Sequence, residues 1–176
     1  MNNFALEIWD DEGARCTLYT VRWEDCEDSE TNRFFNRFTK NPENKHYNFV
    51  LDLYELIMRS IKNGYGATDD FINRPKNRAQ ALPPKPTSRI EEIEVLGKNF
   101  PLRLYCYRVN EQLLILFNGG IKSARTDQDS PDLRTKFYEA QEFAKRIEEA
   151  LRDGLVSFDR NKRILTGFQN ELNIYL

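Results

Sequence analysis

The stretch that most restricts this chain is Pro101–Lys122, PLRLYCYRVNEQLLILFNGGIK. Leu102, Leu104 and Cys106 alternate with polar-tipped neighbours over Leu102–Val109, which predicts a strand with one face turned inward. Asn110-Glu111 is a polar break, and Leu113–Phe117 is an apolar run too short for a helix. A continuous apolar strand beside an alternating one marks a sheet centre around which the rest should pack. Asn118-Gly119-Gly120 is expected to end the second strand, since glycine adopts backbone angles that β-branched residues refuse. Ile121–Arg125 would then leave the sheet edge carrying Lys122 and Arg125.

A chain of 176 residues, 40% of them hydrophobic, can bury one good core, so residues 1–176 are expected to form a single domain. No apolar run approaches the ~20 residues of a membrane-spanning helix, and the start lacks the cationic and apolar regions of a secretory signal. Cys16, Cys26 and Cys106 are odd in number and lack any CxxC spacing. Reduced thiols in a cytoplasmic protein are the expectation, with no metal site, no cofactor and no membrane partner.

The net charge of −2 hides an asymmetry. Lys plus Arg against Asp plus Glu run 7 to 12 over residues 1–60, 11 to 6 over 61–125, and 8 to 10 over 126–176. The middle segment alone is basic, by 11 − 6 = 5 charges, a modest footprint for a phosphate backbone.

In order, Phe4–Trp9 and Cys16–Trp23 alternate around the turn signal Asp10–Gly13 and predict an N-terminal β-hairpin. The acidic run Glu24–Glu30 reads as a solvated loop leading into a helix, capped by Asp28 or Ser29 and carrying Phe34, Phe35 and Phe38 on one side. A second helix is expected from Glu43 to about Lys62, because Tyr47, Val50, Leu51, Tyr54, Ile57, Met58 and Ile61 recur at helical spacing. Gly64 is the expected stop, and His46, the lone histidine, is expected exposed in the first turn. Together these helices form an αα-hairpin.

Residues 74–88 hold Pro75, Pro83, Pro84 and Pro86 among Arg74, Lys76, Arg78 and Lys85, and are expected to be an extended basic loop without a regular element. Arg89–Val95 reads as a strand, which with 101–109 and 112–118 makes a three-stranded meander. Ser130 as N-cap, Pro131 and Asp132 specify the start of a long helix ending at Gly154. Residues 155–176 form a C-terminal extension with short strands at Val156–Phe158, Ile164–Phe168 and Asn173–Leu176. The expected class is α+β, an antiparallel sheet of N-terminal hairpin and meander, with the αα-hairpin and the long helix packed on it.

From the meander onward the chain resembles the RelE/HigB-type toxins of bacterial type II toxin–antitoxin systems. The residues carrying the resemblance are Arg103 on the first strand, Leu113–Phe117, Gly119-Gly120-Ile121-Lys122, Thr126 to Pro131, and Glu139-Ala140. They span residues 89–151, with the upstream elements agreeing in type only. The resemblance implies a RelE-like fold and a metal-independent endoribonuclease that cuts mRNA at the ribosome and is held by a cognate antitoxin protein. A 2′-hydroxyl would attack the adjacent phosphate, so the site needs a proton acceptor and cations for the phosphoryl oxygens. Arg103, Lys122 and Tyr105 are the candidate catalytic residues, and Arg108, Arg125, Tyr107, Arg78 and Lys85 the candidate RNA contacts. Tyr105 and Tyr107 either stack on bases, act as acid or base with a phenol lowered by the cations, or pack in the core.

A second function of another class stands beside this one: a non-catalytic protein-binding or regulatory module on the same scaffold. No cationic recognition helix, GxSxG elbow, HExxH or GxxxxGK[ST] motif occurs.

Overall fold

Strands β1 (Phe4–Asp10) and β2 (Thr17–Trp23) pair antiparallel, with Phe4 opposite Trp23 and Ile8 opposite Tyr19. The structure is a computed structural model that describes residues 2–74, 77–167 and 174–176. After β2 the chain forms α1 (Glu30–Thr39) and α2 (Tyr47–Glu55), and α2 runs directly into a π-helix, Leu56–Tyr65. Then come β3 (Gln80–Leu82), α3 (Glu91–Leu96), β4 (Leu102–Asn110), β5 (Leu113–Ile121), α4 (Pro131–Arg152), a small hairpin β6 (Val156–Phe158) and β7 (Leu165–Gly167), and β8 (Ile174–Tyr175). No helix among the described residues is long and apolar enough to cross a membrane.

The main sheet has the order β3-β4-β5-β2-β1, closed at the β1 edge by the two residues of β8. It is mixed, because β2 and β5 run parallel, Thr17 to Thr20 against Leu113 to Leu116. This corrects the expected antiparallel sheet of hairpin plus meander. Two further elements differ from the expected meander. Arg89–Val95 is not a strand: Ile90 and Ile93 are three apart and both buried, and Glu91, Glu92 and Glu94 suit the positive end of a helix. Gly97, at φ +77°, caps it as α3. The strand that does flank β4 comes from inside the basic loop. Gln80, Ala81 and Leu82 pair antiparallel with Cys106, Tyr105 and Leu104, so residues 74–88 do hold a regular element. Pro75 and Lys76 of that loop lie outside the described residues.

Both faces of the sheet are covered. On one, Leu18, Leu102, Leu104, Leu114 and Leu116 meet Phe34, Phe38, Leu53 and Ile57 of the first helices. On the other, Phe4, Tyr19, Ile115 and Phe117 meet Phe143, Ala144 and Ile147 of α4. That is why Leu113–Phe117 reads as unbroken apolar sequence: successive side chains enter opposite cores.

The glycine pair lies within β5 instead of ending it. A Cβ on Gly119 would fall on the Arg103 carbonyl, and one on Gly120 on the Asp132 carboxylate. Close approach of the β4 backbone at Gly119 and of the Asp132 side chain at Gly120, not a turn, requires them. The helix expected to stop at Gly64 continues to Tyr65 and ends on Gly66, at φ +85°. His46 precedes α2 and is buried with its ring edge-on to Phe38 at 5.8 Å. In the C-terminal extension β6 and β7 pair with each other and β8 joins β1, while Phe168 and Asn173 lie outside the described residues.

Candidate functional site

Strand β4 alternates, so Arg103, Tyr105 and Tyr107 share one face and Leu104, Cys106 and Arg108 the other. The first face looks toward α4 and toward the turn that leaves β5. That turn is pinned by Ser130, whose buried hydroxyl accepts from the backbone amides of Ser123 and Ala124 and donates to the Thr126 carbonyl. The serine predicted as the N-cap of α4 thus closes the preceding loop, and the loop carries Asp127 back over the sheet.

Asp127 is where the expected residues meet. Tyr105 donates its hydroxyl to Asp127 at 2.8 Å, and Lys122 donates to the same carboxylate at 2.9 Å. Burial alone would raise the Asp127 carboxyl. The hydrogen bonds from Lys122 and Tyr105, with the charges of Lys122 and Arg103, outweigh it and hold the group below its ordinary range. Tyr105 moves the other way: burial, then the Asp127 charge, push its phenol far above its ordinary value. It is 1% exposed and edge-on to Phe137. The expectation of a Tyr105 phenol lowered by nearby cations is therefore corrected; it is a neutral donor that orients a carboxylate.

Arg103 is 4% exposed, and its guanidinium donates to the carbonyls of Phe100 and Leu102 at 2.9 and 2.8 Å. Burial, followed by the neighbouring positive charge of Arg74, lowers it to about 10, so it stays cationic at neutral pH. Arg74 donates through Nε to the Pro83 carbonyl at 3.2 Å, and burial lowers it while Asp127 draws it back. Among the described residues neither arginine makes an ion pair. Buried or half-buried guanidinium groups normally have a carboxylate each. Here Arg74, Arg103 and Lys122 share the one carboxylate of Asp127.

A cavity of about 180 Å³ opens at this cluster, with Arg74, Gln80, Lys85, Tyr105, Asp127 and Gln128 on its walls. Arg103 does not line it and contributes charge at longer range. The cavity's outer lip is the loop 77–85, fixed to α4 by Gln141, whose amide both accepts from and donates to the backbone of Ala79. Net charge, size and donors suit one compact anionic group, a phosphate or a carboxylate.

The remaining expected RNA contacts scatter. Arg108, on the other face of β4, donates to the Ala67 carbonyl and pairs with Asp69 at 2.8 Å. Arg78 pairs with Glu148 on the surface at 2.8 Å, Tyr107 is half-buried, and Arg125 is exposed on the turn. Lys85 is the one of these five at the cavity. Sequence reasoning missed Asp127 and Arg74. Asp127 lay in a stretch read only as the lead-in to a helix, and Arg74 in one read as structureless. Their signal was tertiary: β3 had to be recognised before Arg74 could be placed beside Tyr105. The groups of His, Cys, Asp and Glu that a metal ion needs do not occur among the described residues. No family model, curated protein or solved structure matches the chain.

Proposed function

We propose that this chain recognises a phosphate group of an RNA strand in the cavity beside Asp127. The observation that carries the reading is the excess of guanidinium charge there: Arg74 faces the cavity without a carboxylate of its own among the described residues, with Arg103 buried nearby. An arriving phosphate would accept from Arg74 and Lys85 and relieve the burial of both arginines. Lys85 at the cavity and the exposed Arg125 on the turn after β5 are the cations along which a strand would run.

The test is titration of the protein with inorganic phosphate and with a short 3′-phosphorylated oligoribonucleotide, by calorimetry and amide chemical shifts. Both should bind, the oligonucleotide more tightly and with strong salt dependence, and Arg74→Ala should weaken each by tenfold or more, the loss of one charge-assisted pair of about 1.5–3 kcal/mol. Absence of shifts around Tyr105 and Asp127 at millimolar phosphate refutes the reading.

A second reading, metal-independent cleavage of the bound strand, is favoured by the meeting of Tyr105, Lys122 and Asp127 on one face with Arg103. Asp127 would accept the 2′-hydroxyl proton, weakly because its carboxyl is held low, as the 2′-oxygen bonds to phosphorus. The cations would bear the charge of the phosphorane, and the bond to the 5′-oxygen would break to leave a 2′,3′-cyclic phosphate and a 5′-hydroxyl protonated from solvent. The RelE/HigB resemblance supplies mRNA at the ribosome as the substrate. Incubation of end-labelled RNA with the protein in chelator separates the two. Cleavage that falls by about 10²-fold or more in Asp127→Asn supports catalysis, and binding without cleavage leaves recognition alone.

A further inference from the structure

On the opposite side of the sheet, α2, the π-helix and α3 enclose a groove of about 850 Å³ with a floor of Leu56, Leu96 and Phe100. Its rim leaves large apolar surface in water: Phe49 is 41% exposed, Tyr65 47% and Val95 76%. Among the described residues four carboxylates, Asp52, Glu55, Glu91 and Glu92, line it against one cation, Arg59, which already pairs with Glu55 at 2.9 Å. One long wall is a ten-residue π-helix, a conformation that is rare and concentrated at functional sites. None of this is used by the phosphate cavity.

We propose that this groove is the docking site for an amphipathic helix of a partner protein, apolar on the face it inserts and rich in Lys and Arg on its flanks. Three features select that occupant. The acidic rim repels nucleic acid and attracts cationic side chains. The walls are helices whose backbone groups are bonded within themselves, so an extended peptide would find no sheet edge to join, whereas a helix brings its own backbone bonds satisfied. The apolar side chains stand on the rim instead of being enclosed, so only a partner broad enough to cover both walls removes them from water.

The probe is a fluorescent, designed ~18-residue helix, five turns long, with leucines at alternating spacings of three and four and Lys/Arg beside them. Its control carries Glu at every Lys and Arg. Titrated with the whole chain, the basic peptide should bind with an affinity that falls as salt rises, and the acidic one should not. The double substitution Glu91→Lys/Glu92→Lys and the single Val95→Asp should each weaken binding about tenfold or more. All three positions are exposed, and circular dichroism checks that the variants stay folded. Arg74→Ala, at the phosphate cavity, should leave peptide binding unchanged. Failure of the basic peptide to bind, equal binding of the two peptides, or indifference to the rim substitutions overturns the proposal. Self-association of the chain that Val95→Asp abolishes overturns it too, by assigning the groove to a second copy.

Discussion

Replacing Asp127 by Asn removes the one negative charge shared by Lys122, Arg103 and Arg74 while keeping the side chain's shape. The wild-type carboxylate accepts two charge-assisted bonds, from Lys122 at 2.9 Å and Tyr105 at 2.8 Å. At about 2 kcal/mol each they amount to about 4 kcal/mol, and the amide oxygen restores about 1 kcal/mol as a neutral acceptor. The expected loss is about 3 kcal/mol, which for a chain of this length lowers Tm by roughly 6–12 °C. The pH dependence has a fixed sign. The folded carboxyl is held below its ordinary value of 3.8, so as pH falls the unfolded chain takes up this proton first. The stabilisation is complete above about pH 4 and is lost as pH drops toward the folded value. Asp127→Asn should therefore unfold at lower temperature near neutrality, with a flatter acid limb.

Added phosphate should rescue the variant more than the wild type, because it replaces the missing charge. Saturating ligand adds about 2.7 kcal/mol at a hundred times its dissociation constant. Differential scanning calorimetry of both proteins between pH 3 and 7, in phosphate and in sodium chloride of matched ionic strength, reads all three effects. Equal melting temperatures at pH 7, or equal stabilisation of both proteins by phosphate and chloride, would refute the picture of one carboxylate neutralising a cationic pocket.

Tyr105→Phe deletes a single donor to Asp127 and should cost about 1.5 kcal/mol, or roughly 3–6 °C in Tm, with the acid limb shifted to higher pH. Gly119→Ala places a methyl group on the Arg103 carbonyl, where backbone has no room to yield, and should cost about 3 kcal/mol or more or abolish soluble expression; unchanged thermal unfolding would show that the two strands can separate. Cys16 and Cys106 are fully buried, and burial pushes both thiols up to about 12, whereas Cys26 is half-exposed. Iodoacetamide should thus alkylate Cys26 alone in the native protein at pH 8, read by peptide mass spectrometry, and all three in denaturant.

Local signals in this chain were legible where one periodicity dominated. The alternation over Leu102–Val109, the apolar run Leu113–Phe117 and the Ser130-Pro131 start of α4 all sit where their patterns put them. Legibility failed where a short segment met two rules at once. RIEEIEV has the apolar content of a strand, but Ile90 and Ile93 fit one side of a single helical turn, and the first-turn carboxylates decide it. Gln80–Leu82 is too short and too close to prolines to announce itself, and only its partner β4 makes it a strand. The π-helix has no composition of its own. At the site, Arg103 and Tyr105 could be placed on one face of β4 because the side chains of a strand alternate. Asp127 and Arg74 could not, since their importance lies in whom they meet across the fold. The parallel pairing of β2 with β5 was invisible for the same reason: nothing local to either strand encodes the direction of its neighbour.

That parallel pairing has a consequence for synthesis. When the ribosome has made residues 1–65, the Thr17–Trp23 strand is already complete, yet the segment that must lie against its open side, Leu113–Ile121, is still to be polymerised. At translation rates of about 5–20 residues per second, the nascent chain holds an unprotected strand border for several seconds. An abortive product ending near residue 110 would keep it indefinitely, and should be taken up by chaperones or self-associate through that border.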